Sequence, residues 1–170
     1  MNNEKLKVYL EKGCNNESIL MDINYKAESM FYSKQHYGFT DMMYKLNDLS
    51  RERMYILNNY KSDCCIKSDE KESKESLELE IESLTEYIKY YKEALEDCKK
   101  YYNEFASECL SMKDHVCYSI CIDVLKLCVK SCKYIYELED MISEYGTSDL
   151  ALELINYKIK DKNTNDILPK

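Results

Sequence analysis

Glycine and proline are nearly missing, with three and one in 170 residues, where usual frequencies are about 7% and 5%. So small a supply of turn residues excludes a turn-rich β fold. Tryptophan is absent and histidine occurs twice. Neither His36 nor His115 has a glutamate three residues before it, so the E-x-x-H pairs of diiron carboxylate bundles are missing. No phosphate loop, G-x-S-x-G or H-E-x-x-H occurs, which leaves no acid, base and nucleophile set to assemble into a catalytic site. No stretch approaches the roughly 18 uninterrupted apolar residues of a membrane helix. The most apolar run, Val116 to Val129, is broken by Asp123 and Lys126. The opening MNNEKLKVYLEKGC lacks the apolar region of a secretory signal. Excess positive charge is lacking too: the formal net charge is −8 and the basic residues are scattered. Nucleic acid and anionic membrane surfaces need a cationic patch and are disfavoured as partners. A soluble, cytoplasmic protein is expected, with its nine cysteines kept as thiols by a reducing compartment.

What is abundant is helix-forming sequence of mixed charge. NEKLKVYLEK (residues 3–12) reads as a short helix ended by Gly13, after which Asn15 or Asn16 caps a long one. Leu20, Ile23, Ala27 and Met30 or Phe31 recur in it at helical spacing. Gly38 supplies a turn, and Thr40 caps a helix carrying Met43, Leu46, Leu49 or Ser50, Ile56 or Leu57, and Tyr60. A polar, serine-rich linker spans residues 61–75. From Ser76 the pattern is regular. Leu77, Ile81, Leu84, Ile88, Tyr91, Leu95, Cys98, Tyr102, Phe105 and Cys109 alternate steps of four and three. Cys117, Cys121, Val124, Cys128, Ser131, Ile135, Leu138, Ile142 and Tyr145 do the same. These are two heptad seams.

Between them Ser111 and Asp114 form a capping pair, so a reversal is expected near residues 107–113, with one continuous helix as the alternative. Gly146 fits a helix C′ position. A short helix from Ser148 presents Leu150, Leu154 and Tyr157 on one side. The fold class expected is all-α: an antiparallel, up-down bundle of about four long helices with a long heptad-patterned C-terminal hairpin. It forms a single domain over residues 1–160, with residues 161–170 as a disordered tail. Val116, Ile120, Leu125, Leu127 and Val129 lie outside the seam of their helix, which marks it as central or as an oligomer interface.

The chemical lead is CYSICIDVLKLCVKSC, residues 117–132, with four cysteines in four turns. As small apolar side chains they pack a seam. As thiolates they suit Cu(I) or Zn(II), and Cys98 and Cys109 would face them across the hairpin. The candidate metal ligands are therefore Cys98, Cys109, Cys117, Cys121, Cys128 and Cys132. Cys14, Cys64 and Cys65 fall in polar connections and read as surface thiols. Disulfides are disfavoured because cysteines four apart on one helix seldom meet bridge geometry, and no C-x-x-C occurs.

The spacing C-x10-C-x11-C-x6-C-x3-C, carried by Cys98, Cys109, Cys121, Cys128 and Cys132, resembles that of bacterial copper storage proteins, four-helix bundles lined with cysteines. The resemblance covers residues 91–132 and implies Cu(I) as cargo and those five residues as ligands. Where that family would place further cysteines, this chain has Tyr91, Leu95, Tyr102 and Phe105. The stretch GFTDMMYKLNDLSRER, residues 38–53, is loosely similar to a ferritin second helix, with Arg53 where a ligand histidine would stand.

Seventeen tyrosines favour protein contacts. Tyr91 and Tyr102 are expected in the seam with hydroxyls reaching the rim, and Tyr90 and Tyr101 on a partner-binding face. The leading expectation is a non-catalytic structural or protein-interaction role without a cofactor, as a homodimer or with a protein partner. The other is Cu(I) or soft-metal storage by core thiolates.

Overall fold

The structure is a computed structural model that describes residues 3–67 and 79–165. All regular structure among them is helical: α1 (Asn3–Ser33), α2 (Tyr37–Asp63), α3 (Leu84–Ser111), α4 (His115–Tyr145) and α5 (Asp149–Asn165). Each long helix packs on two others, α1 on α2 and α3, and α4 on α2 and α3, while α5 covers α2 and α4. No described helix is long and apolar enough to cross a membrane.

The core is built from four lines of buried residues with the same alternation of four and three. In α1 the line is Leu6, Leu10, Gly13, Glu17, Leu20, Asn24, Ala27 and Phe31. In α2 it is Phe39, Met43, Leu46, Ser50, Arg53, Leu57 and Tyr60. The α3 line runs from Leu84 to Cys109 and the α4 line from Cys117 to Leu138, through the positions their sequence pattern marks. That alternation keeps one face of a 3.6-residue helix turned toward its neighbours.

Local chemistry moves several boundaries. Helix α1 runs through Gly13 rather than ending there. A glycine costs a helix about 1 kcal/mol relative to alanine, but here it lets α3 come close. A Cβ at residue 13 would meet Leu57 Cδ1 at 3.0 Å and Tyr102 Cε1 at 3.3 Å. Likewise Gly38 is not the turn but lies in the first turn of α2. A Cβ there would sit 2.1 Å from the Asn156 carbonyl oxygen of α5. The turn itself is at Gln35, with φ 61°. Thr40 is not the cap of α2. His36 is, and it contributes no side-chain bond; instead Asn156 Oδ1 accepts from Phe39 N at 3.2 Å. Lys61, expected in the linker, belongs to α2 and pairs with Glu11 at 2.7 Å.

Helix α3 starts at Leu84, later than the seam suggests. Ser83 accepts from Glu86 N at 3.2 Å, and Glu86 Oε2 accepts from Glu82 N at 3.0 Å. This is a capping box shifted by one residue, the Glu86 carboxylate bonding the N–H just before the cap, and its Ser83-x-x-Glu86 spacing is written in the sequence. Ser76 and Leu77 lie outside the described residues. A turn at Met112–Asp114 separates α3 from α4, with Lys113 at φ 58°, so residues 76–145 are not one continuous helix. Gly146 follows α4 with φ 82°, and its N–H donates to Ile142 O. Ser148 caps α5, which continues to Asn165, five residues into the expected tail; residues 166–170 lie outside the described set. The buried side of α5 is Ala151, Ile155 and Ile159, not Leu150, Leu154 and Tyr157, which are exposed.

The tyrosines also depart from expectation. Tyr91 and Tyr102 are completely buried, with no hydroxyl at the rim. Tyr101 is buried and donates to Tyr9 O, so it is not on a partner face. Tyr90 is half-buried against the core. The exposed set is Tyr25, Tyr32, Tyr37, Tyr44, Tyr55, Tyr136 and Tyr157.

Candidate metal centre

The α3–α4 turn gathers thiols. Asp114 N donates to Cys109 O at 2.9 Å, and Asp114 Oδ1 accepts from Cys117 N at 3.1 Å. One aspartate thus binds the last turn of α3 to the first turn of α4. Cys121 follows Cys117 by one helical turn and lies on the same face. The Sγ atoms of Cys109, Cys117 and Cys121 all fall within 4.8 Å of one another, and all three residues are fully buried. No other group of three or more candidate ligands comes this close among the described residues. A metal–sulfur bond of about 2.3 Å puts the sulfurs of a trigonal ion about 4 Å apart. The triad therefore needs only a small closure to hold one soft ion.

Without an ion the cluster favours neutral thiols. Burial, followed by the hydrogen bond with Cys117, pushes the Cys109 thiol up to about 12. Its hydrogen bond with Cys121 raises Cys117 further, with burial adding to it. Asp114 raises both through its negative charge. Metal binding must displace these protons, so affinity falls as pH falls.

The remaining candidates are elsewhere. Cys98 and Cys128 are buried deeper along the bundle, where burial raises both thiols, Cys128 to about 12. Glu17 and Arg53 lie close enough to act on each in opposite senses. Cys132 lies near Lys99 and Glu96, its thiol raised chiefly by burial. The six sequence-level ligands thus divide into a converged triad and three thiols that do not close into a second group of three, with Cys128 near enough to Cys98 and to Cys132 to interact with each. Of the cysteines read as surface thiols, Cys65 is exposed, whereas Cys14 and Cys64 are half-buried. Cys14 lies within α1, its Sγ 3.7 Å from Asn58 Oδ1. His115, the first residue of α4, is exposed.

A polar layer in the middle of the core escaped the sequence reading. Arg53 Nη2 and Glu17 Oε2 are 2.8 Å apart with both side chains 0% exposed. Arg53 also donates to Ser131 Oγ at 3.0 Å and Ser50 Oγ at 2.9 Å. The Tyr102 hydroxyl shares its single proton between Glu17 Oε1 at 2.9 Å and Gly13 O at 3.1 Å. Farther along, Asn24 donates to Asn47 at 2.8 Å and accepts from Tyr87 at 2.9 Å. Burial pulls the Arg53 guanidinium down, but the Glu17 carboxylate outweighs it and holds Arg53 above its ordinary range. Every member but Asn47 and Tyr87 occupies one of the four buried lines. The available signal was the period itself: Glu17 and Arg53 stand where the alternation of four and three demands an inward side chain.

No family model matches the chain, and no curated protein does.

Proposed function

We propose that this chain is a non-catalytic helical-bundle protein with a structural or protein-interaction role, acting in the cytoplasm as a homodimer. Four long antiparallel helices are the arrangement its contacts support. Lys92 meets Glu139 at 2.7 Å while Cys109 meets Cys117, and Tyr25 meets Arg51 while Tyr32 meets Tyr37. Residue numbers rise on one helix as they fall on the other in both pairs.

The observation that carries the reading is a tyrosine ladder on the outer face of α1 and α2. Arg51 donates to Tyr25 at 2.9 Å, Tyr44 donates to Glu28, and the Tyr32 and Tyr37 rings meet edge to face at 5.8 Å. Tyr25 and Tyr32 are seven residues apart, as are Tyr37 and Tyr44, so each pair shares a helix face. Tyrosine is enriched at protein interfaces because its ring buries apolar area and its hydroxyl stays satisfied. The net charge of −8 fits neither nucleic acid nor an anionic membrane as the partner. Light scattering tests the reading: the expected mass is twice 20.2 kDa, and a Tyr32→Ser/Tyr44→Ser variant is expected to be monomeric. A wild-type monomer at high concentration refutes it.

Soft-metal binding is the second reading, favoured by the convergence of Cys109, Cys117 and Cys121. The geometry supports one ion per chain and not the multi-ion store that six clustered thiols would make. Cu(I) suits three soft donors without a fourth. Anaerobic Cu(I) titration against a competing chelator is expected to give one ion per chain, lost in Cys121→Ser. A stoichiometry below one refutes it.

A further inference from the structure

Cys109, Cys117 and Cys121 are each 0% exposed, and their Sγ atoms lie within 4.8 Å of one another. Three unbonded sulfurs at that spacing form a triangle, with one corner from α3 and two from α4. Apolar side chains continue both lines away from it. Phe105, one turn before Cys109, and Val124, about one turn after Cys121, are also 0% exposed. The charge bonded into the site is negative: Asp114 Oδ1 accepts from Cys117 N at 3.1 Å. The buried cations among the described residues, Arg53 and Lys61, are each already paired, with Glu17 at 2.8 Å and Glu11 at 2.7 Å. Arg53 also bonds Ser131, which is ten residues along α4 from Cys121 and hence about 15 Å away at the helical rise. No buried cation is therefore left, among the described residues, to balance a negative charge at the triad.

Net charge then favours one class of occupant, because a buried charge without a partner is costly. Three thiolates around Cu(I) leave two negative charges, and around Zn(II) one. Arsenic(III) brings three positive charges, so its complex with three thiolates is neutral. It is also pyramidal, with three bonds on one side and a lone pair on the other, and needs no fourth ligand. Resting on the reading of the triad as a soft-ion site, we propose that Cys109, Cys117 and Cys121 bind arsenic(III), taken up as arsenous acid. The reaction is substitution at arsenic without change of oxidation state. One As(OH)3 and three thiols give the three-sulfur complex and three waters. Each step forms an arsenic–sulfur bond, breaks an arsenic–oxygen bond, and sends the thiol proton out with the departing hydroxide as water. Neither the entering molecule nor the product is charged, so no thiolate is left in the buried site. Bonds close to the 2.3 Å of zinc–sulfur, set at about 100°, bring the sulfurs to roughly 3.5 Å. The triangle reaches that size by a small contraction.

The test incubates the reduced full-length protein anaerobically with sodium arsenite, removes the excess by gel filtration and weighs the product by native mass spectrometry. Wild type is expected to gain the mass of one arsenic less three hydrogens, the signature of three thiols bonded at once. Cys121→Ala and Cys109→Ala are expected to lose that product, and any arsenic they retain should keep a hydroxyl. Circular dichroism melts identify which variants are folded, and the wild-type mass decides the stoichiometry without them. A Cys64→Ser/Cys65→Ser variant should load as wild type does, which excludes the adjacent pair as the site. Loss of arsenic in that double variant overturns the proposal, as does an unchanged three-sulfur product in folded Cys121→Ala. Cu(I) is titrated in parallel. One Cu(I) per chain with no arsenic retained overturns the proposal and leaves the soft-ion reading standing. A wild-type protein that takes up neither overturns both.

Discussion

Replacing Arg53 by methionine would remove the guanidinium and keep a similar apolar volume. Glu17 would remain a fully buried carboxylate whose Oε2 has lost its partner at 2.8 Å and whose Oε1 keeps only the Tyr102 hydroxyl. Breaking a buried pair from one side costs about 3–5 kcal/mol, whereas replacing both partners with apolar or neutral groups is often close to neutral. For a chain of this length each kcal/mol shifts Tm by about 2–4 °C, so Arg53→Met is expected to lower Tm by roughly 6–20 °C. Glu17→Gln leaves the guanidinium buried without its counter-charge and should also destabilise strongly. The Glu17→Gln/Arg53→Met pair should recover much of the loss. Urea unfolding of the four proteins followed by helical circular dichroism closes the cycle. Single variants costing under about 1 kcal/mol, the worth of a surface pair, would refute the reasoning. So would a double variant whose losses simply add.

Gly38→Ala should force α5 away from α2, because the new Cβ meets backbone at 2.1 Å and backbone has no rotamer with which to yield. Hydrogen exchange across residues 149–165 should quicken while the α3–α4 amides keep their protection; unchanged exchange in α5 would contradict the close approach. Alkaline pH should unfold the protein through its buried thiols. Cys109 and Cys128 are raised from 9.0 to about 12, so the folded state holds these protons more tightly than the unfolded chain. Their contribution is complete below pH 9 and is lost as pH rises toward 12. Urea midpoints should stay level in that respect up to pH 9 and then fall, with a smaller fall in Cys128→Ala.

The sequence pattern carried the all-helical class and the buried lines of α3 and α4, because apolar residues fill those lines almost without a break. The α1 and α2 lines have the same period but contain Gly13, Glu17, Asn24, Ser50 and Arg53. A search for apolar recurrence loses them, and the first helix was accordingly divided at Gly13. What fills such a position depends on who lies opposite: Gly13 faces Tyr102, Glu17 faces Arg53, and Gly38 faces the α5 backbone. None of those partners is adjacent in sequence. The triad was half legible. Cys117 and Cys121 share a face by spacing alone, but admitting Cys109 and leaving out Cys98, Cys128 and Cys132 depended on the turn that Asp114 closes. The apolar side of α5 was misread because that helix has apolar residues on two faces, and only packing decides which is covered.

The bond from Phe39 N to Asn156 Oδ1 joins residues 117 positions apart, and it is the side-chain acceptor for an α2 N-terminus whose own cap residue provides none. At a synthesis rate of about 5–20 residues per second, Asn156 is made roughly 6–23 s after Phe39. On the ribosome the start of α2 must wait that long for its acceptor. The nascent bundle therefore has a loose end at the α1–α2 turn that closes only when α5 arrives, which makes a later-translated helix the latch of an earlier one.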